Sequence, residues 1–104
     1  MTNKRDVGNA FEIKVSQAIP NGKLTPNSGA MFNNADVVND TLVVECKVRN
    51  KPSINISKIQ LEKLKKQALL YSKDYAFANK TTNGEYITIS LEHFKQLLAD
   101  TKHE

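Results

Sequence analysis

The chain has 104 residues, 39% of them apolar and 25% charged. That is the composition of one globular domain, 1–104, and it excludes both a second domain and a disordered chain. Its apolar runs fall well short of the ~20 residues that cross a bilayer, which excludes a transmembrane segment and a membrane partner, and fifteen Lys and Arg against eleven Asp and Glu give a net charge of +4, a tilt toward polyanionic partners.

In chain order, residues 5–19 read as a first helix. Val7, Phe11, Val15 and Ala18 recur at helical spacing, and Pro20-Asn21-Gly22 ends it. Residues 23–25 predict a short strand, closed by Pro26-Asn27-Ser28-Gly29. A loop runs on through Asn33-Asn34, with Met31 and Phe32 as an apolar pair inside it, suited either to the core or to a partner. Residues 35–38 and 42–48 are two β-branched runs flanking Asn39-Asp40-Thr41, which predicts a hairpin. Lys51-Pro52-Ser53 breaks the chain, and residues 54–56 read as a further short strand segment. Ser57 is placed to N-cap a long helix to about residue 72, with Ile59, Leu61, Leu64, Ala68 and Tyr71 facing inward. Residues 75–78 read as a buried strand, Asn83-Gly84 as a turn and 85–89 as another strand. Ser90 caps a last helix through about residue 100.

The single cysteine, Cys46, cannot form an internal disulfide, and two histidines exclude a structural zinc site. The polar residues 1–6 are followed by no apolar run, so no signal peptide is expected. A cytoplasmic, reducing setting follows.

The charge is unevenly placed. Between residues 47 and 66, Lys47, Arg49, Lys51, Lys58, Lys63, Lys65 and Lys66 face a single acid, Glu62. The strip fits a solvated helix face or a row of phosphate contacts. Aromatic residues are absent from it, so it is no base-stacking platform.

Three ionisable residues stand out in the hairpin. Glu45 and Lys47 are two apart on a strand and share a face, while Cys46 points to the other face with Val44 and Val48. Two charges inside an otherwise apolar run cost stability unless they are paired or bind an ion. A loop of Asp40-Thr41 sets Asp36 directly opposite Glu45; a loop of Asn39-Asp40 sets it diagonal. Either register leaves both carboxylates on one face, within ~8 Å. Two carboxylates and a lysine fit a hard divalent cation with an ammonium beside it. Read without metal, they fit an ordinary surface ion pair. Arg5, Gly8 and Glu12 share one stripe of the first helix, so Glu12 could add a third acid.

Arg5-x-x-Gly8-x-x-x-Glu12, Ser28-Gly29, Asp36 and Glu45-x-Lys47, in that order, resemble the PD-(D/E)XK nuclease superfamily. Within it they look most like the Holliday junction resolvases of archaea and their viral relatives. The resemblance covers nearly the whole chain. It implies an α/β fold with a restriction-endonuclease-like core, a central mixed β-sheet flanked by helices in the order αβββαββα. It further implies Asp36 and Glu45 as metal ligands, Glu12 completing the metal site directly or through water, Lys47 as the catalytic lysine and Ser28 near the scissile phosphate. Ala35 stands where the superfamily's name has a proline. The short chain points to a viral or prophage source, and so to host cytoplasm.

The function expected is magnesium-dependent hydrolysis of branched DNA, with Mn2+ expected to substitute. Two symmetrical cuts in a four-way junction require two sites, so a homodimer is expected. Arg5, Arg49, Lys51, Lys58 and Lys65 are the expected DNA contacts, made to backbone rather than to bases. The alternatives are another endonuclease of the superfamily and a non-catalytic nucleic-acid-binding module. In the second, Asp36, Glu45 and Lys47 would only pair with each other.

Overall fold

Helix α1 spans Lys4–Ala18 and stops where the sequence signals it. Asn21 takes a left-handed φ of 59°, and Gly22 N–H donates to the Ile19 carbonyl at 3.1 Å. The structure, a computed structural model, describes residues 4–25 and 35–101, and of residues 4–6 the backbone alone. Ser28, Gly29, Met31 and Phe32 lie outside the described residues.

Strand β1 is Lys23–Leu24, β2 is Val37–Val38 and β3 is Leu42–Val48. Helix α2 is Lys58–Leu70, followed by β4 (Asp74–Thr81), β5 (Gly84–Thr88) and α3 (Leu91–Thr101). The order is αβββαββα, as the sequence predicts. The five strands form one sheet in the order β1-β2-β3-β4-β5. All neighbours are antiparallel except β3 and β4, which are parallel because α2 carries the chain back between them.

The sheet is covered on both faces, and strand parity sorts its side chains. Phe11 and Val15 of α1 pack on Val37, Val44, Ala76 and Ala78. Leu64 and Ala68 of α2 pack on Ala35, Val43 and Phe77 from the other side. In β4, residues 76–79 are all buried, with the alanines at 76 and 78 on the α1 side of the sheet.

Three expectations do not hold. Residues 54–56 form no strand; they cross to α2 without a ladder partner, Ile54 and Ile56 partly buried. Ile59 and Tyr71 do not face inward but are 78% and 58% exposed. Only Leu61, Leu64 and Ala68 form the inner stripe of α2, because a helix lying on a flat sheet presents one narrow face. On α1, Ala18 is exposed and Ile19, one residue past the helix, packs on the core instead.

Candidate active site at the open edge of β3

The hairpin loop is Asp40-Thr41. Val37 pairs with Val44 and Val38 with Val43, while Asn39 N–H donates to the Leu42 carbonyl at 3.0 Å. The Asn39 side chain fixes this loop by accepting the Thr41 N–H at 3.0 Å and donating to the Pro20 carbonyl at 2.9 Å. Of the two registers the sequence allows, this one puts Asp36 opposite Glu45.

Strand β2 pairs only with Val43 and Val44, so beyond them β3 has β4 as its one ladder partner among the described residues. The Cys46 N–H on the open side is taken up by the Asp36 carboxylate, 2.8 Å away. An aspartate thus replaces a strand carbonyl at the point where the ladder stops, and its carboxyl is held at the sheet edge.

There the hairpin register sets Asp36 opposite Glu45, each partly buried and each raising the cost of ionising the other. Two such carboxyls are hard to ionise together, which favours one proton for the pair. The Glu45 carboxyl is pushed up to about 7, first by burial and then by the Asp36 charge. Asp36 is also raised, by burial, against the lowering effect of its bond from Cys46. Glu12 of α1 reaches the same region from the other face of the sheet. Burial raises its carboxyl, and so does the charge of Asp36. The Cys46 thiol, packed against the α1 core, is held neutral by burial and by the three acids around it.

Lys47 does not join the acids. It is 7% exposed, and its Nζ donates to the Gln60 Oε1 at 2.7 Å and to the Asn55 carbonyl at 3.0 Å. Among the described residues it forms no ion pair. Burial lowers its pKa, the Arg49 charge lowers it further, and Glu45 acts in the opposite sense. Gln60 is a site residue that sequence reasoning did not single out. Its Oε1 also accepts the Ser57 N–H at 3.0 Å, while Ser57 Oγ accepts the Gln60 N–H at 3.2 Å. This capping box fixes the start of α2 and the lysine together. The spacing Ser57-x-x-Gln60 signals the cap; the contact with Lys47 depends on how α2 lies across β3.

Of the predicted DNA contacts, Arg49, Lys51, Lys58 and Lys65 are all exposed. Lys58 stands 3.9 Å from Glu62. The side chain of Arg5 is outside the described residues, as is Ser28. Lys63, not among the predicted contacts, is the cation of α2 whose field lowers the Glu45 pKa.

Asp36 and Glu45 offer hard oxygen donors on a fixed strand edge. That fits magnesium, which takes one or two carboxylates and leaves its other positions to water and phosphate. Among the described residues no three His, Cys, Asp or Glu side chains group tightly enough to hold a metal ion.

A five-stranded mixed sheet with α1 on one face and α2 on the other is a fold this chain shares with an archaeal Holliday junction resolvase. The structure of Hjc, a Holliday junction resolvase from the archaeal hyperthermophile Archaeoglobus fulgidus, solved at 1.6 Å, is similar with a TM-score of 0.63. The two sequences are 19% identical, and the match covers 80% of this chain and 72% of that one. No protein-family model and no curated protein matches the chain.

Proposed function

We propose that this chain is a single-domain, metal-dependent DNA endonuclease that cuts four-way junctions as a homodimer. The observation that carries the reading is the separation of charges at the edge of β3. The two acids face each other at the strand edge, while the lysine is held apart by the neutral oxygens of Gln60 and Asn55. A purely structural cluster would pair the lysine with an acid and cancel the charge.

In this reading Asp36 and Glu45 hold the cation, with Glu12 acting through water. Magnesium bound there would draw electron density from a phosphoryl oxygen and acidify water. Asp36 is aimed by its bond from Cys46 N–H. Glu45 gives up the shared proton when a cation or higher pH displaces it. Lys47, already desolvated and oriented by Gln60, presents an ammonium to the charge that develops on the phosphorus oxygens during in-line attack. The exposed Lys58 and Lys65 of α2 contact the DNA backbone, and recognition is by shape and charge.

The reaction needs two chains, because one chain offers one acid pair and a junction must be cut twice. Helix α3 supplies a face for a second copy. Leu91, Phe94, Leu97 and Leu98 lie along one stripe and are 47–74% exposed, and none of the described side chains of α3 is fully buried. The test is cleavage of an immobile four-way junction with magnesium by the wild type and by Glu45→Ala. Paired cuts by the wild type and none by the variant are expected. Equal cutting by both would remove Glu45 from the site.

A further inference from the structure

Two glycines bear on α1, and packing among the described residues explains only one. At Gly22, just after the helix, an added Cβ would run into the Ser16 carbonyl and the Ile19 side chain. At Gly8, inside the helix, an added Cβ would meet nothing within 4 Å among the described residues. Glycine inside a helix lowers stability relative to alanine. Among the described residues neither packing nor backbone conformation requires it at residue 8.

Gly8 lines a cleft of about 930 Å³ between α1 and the far ends of β3 and β4. Glu12 and Cys46 bring the cleft to the acid cluster. The opposite wall carries Arg49 and Lys51 from the segment after β3, and Lys80, Thr81 and Thr82 from the end of β4. That wall is rigid. Arg49 N–H donates to the Lys80 carbonyl at 2.9 Å and Thr82 N–H to the Lys51 carbonyl at 3.0 Å, continuing the ladder beyond both strands. Lys80 lies 3.8 Å from Glu85, which Lys14 holds at 2.7 Å, so those three groups keep a net positive charge. The cleft therefore sets cations and hydroxyls across from Val7, Gly8 and Glu12 of α1, over an apolar floor of Cys46 and Val48, and runs to the acids from the side opposite α2.

We propose that this cleft holds the sugar–phosphate backbone of one DNA strand on its way to the acid pair, and that the strand packs directly on α1 at Gly8. The missing side chain leaves room for a bulky polymer where a free phosphate would need none. The identity of the ligand rests on the nuclease reading; the place of contact rests on the cleft.

The experiment measures affinity for a fluorescent four-way junction in chelator, where nothing is cut, together with cleavage in magnesium, thermal unfolding and sedimentation. Gly8→Ala should raise the Tm by about 2–5 °C, as a helix gains when glycine is replaced. It should also lower junction affinity at least tenfold. Lys80→Ala should weaken binding and make it less sensitive to salt. Gln17→Ala, exposed on α1 and away from the cleft, should leave affinity unchanged. Wild-type affinity in Gly8→Ala would overturn the proposal, as would a loss traced by sedimentation to failed dimerisation. If the wild type binds but does not cut while Gly8→Ala loses binding, the cleft stands and the nuclease reading falls. If the wild type cuts and Gly8→Ala binds and cuts as well, the reverse holds. A wild type that binds no DNA overturns both.

Discussion

Asp36 and Glu45 face each other at the strand edge, and ionising both there is costly. With the Glu45 carboxyl raised from 4.5 to about 7, the folded chain keeps a proton that the unfolded chain has released between those two values. Stability contributed by this group is therefore present at low pH and is lost as pH rises through about 7. Asp36 and Glu12 are raised in the same direction. In metal-free protein the wild-type Tm should rise between pH 8 and pH 5.5 relative to Glu45→Gln, which keeps a donor toward Asp36 at every pH. Parallel pH profiles for the two proteins would contradict the shared proton. A divalent cation competes for the same oxygens, so magnesium should raise the wild-type Tm at pH 8 and do so far less at pH 5.5. Lys47 presents the converse case. Gln60→Ala removes one of its two acceptors and half of the capping box. It should cost about 1–3 kcal/mol in urea unfolding, and cleavage should fall with it. A change within experimental error would mean that water replaces the amide at no cost.

Helix α2 ends in a Schellman arrangement with serine where glycine is usual. Lys73 N–H donates to the Ala68 carbonyl at 2.8 Å and Ser72 N–H to the Leu69 carbonyl at 3.2 Å, with Ser72 at φ 54°. Ser72→Gly should stabilise the fold by about 0.5–1 kcal/mol, checked by thermal unfolding, since a side chain in that region is strained. The elements were legible in proportion to how local their causes are. Caps at Ser57 and Ser90, the stop at Pro20-Asn21-Gly22 and the Glu45/Cys46 face alternation follow from neighbours in sequence, and each appears in the structure. The apparent strand at 54–56 fails because two isoleucines with no ladder partner satisfy a propensity without making a sheet. Ile59 and Tyr71 fail because apolar spacing does not say how wide a stripe the sheet will cover. The choice between hairpin registers was invisible, being decided by the Asn39 side chain, and so was the second task of Gln60, decided by the way α2 crosses β3. Helix α3 reads as an ordinary amphipathic helix, but among the described residues its apolar stripe is left exposed. If it covers a second copy, Phe94→Ser together with Leu98→Ser should shift the sedimentation of the protein from dimer to monomer at micromolar concentration. A monomeric wild type would remove that face from the account.

At the scale of the molecule, positive charge lies on both sides of the acid pair: the lysines of α2 on one face of the sheet, and the cleft wall of Arg49, Lys51 and Lys80 on the other. If these charges contact the DNA backbone as proposed, affinity should fall steeply with salt, and charge reversal at Lys65 should weaken junction binding. Lys65→Glu with unchanged affinity would take α2 off the DNA surface. Cleavage itself tests the central claim most directly. An end-labelled immobile four-way junction and a matched linear duplex are each incubated with the wild type in magnesium and in chelator, and with Glu45→Ala in magnesium. The account predicts paired, symmetrical cuts in the junction alone, only with magnesium and only by the wild type. Binding without cutting of either substrate, under all of these conditions, would contradict it.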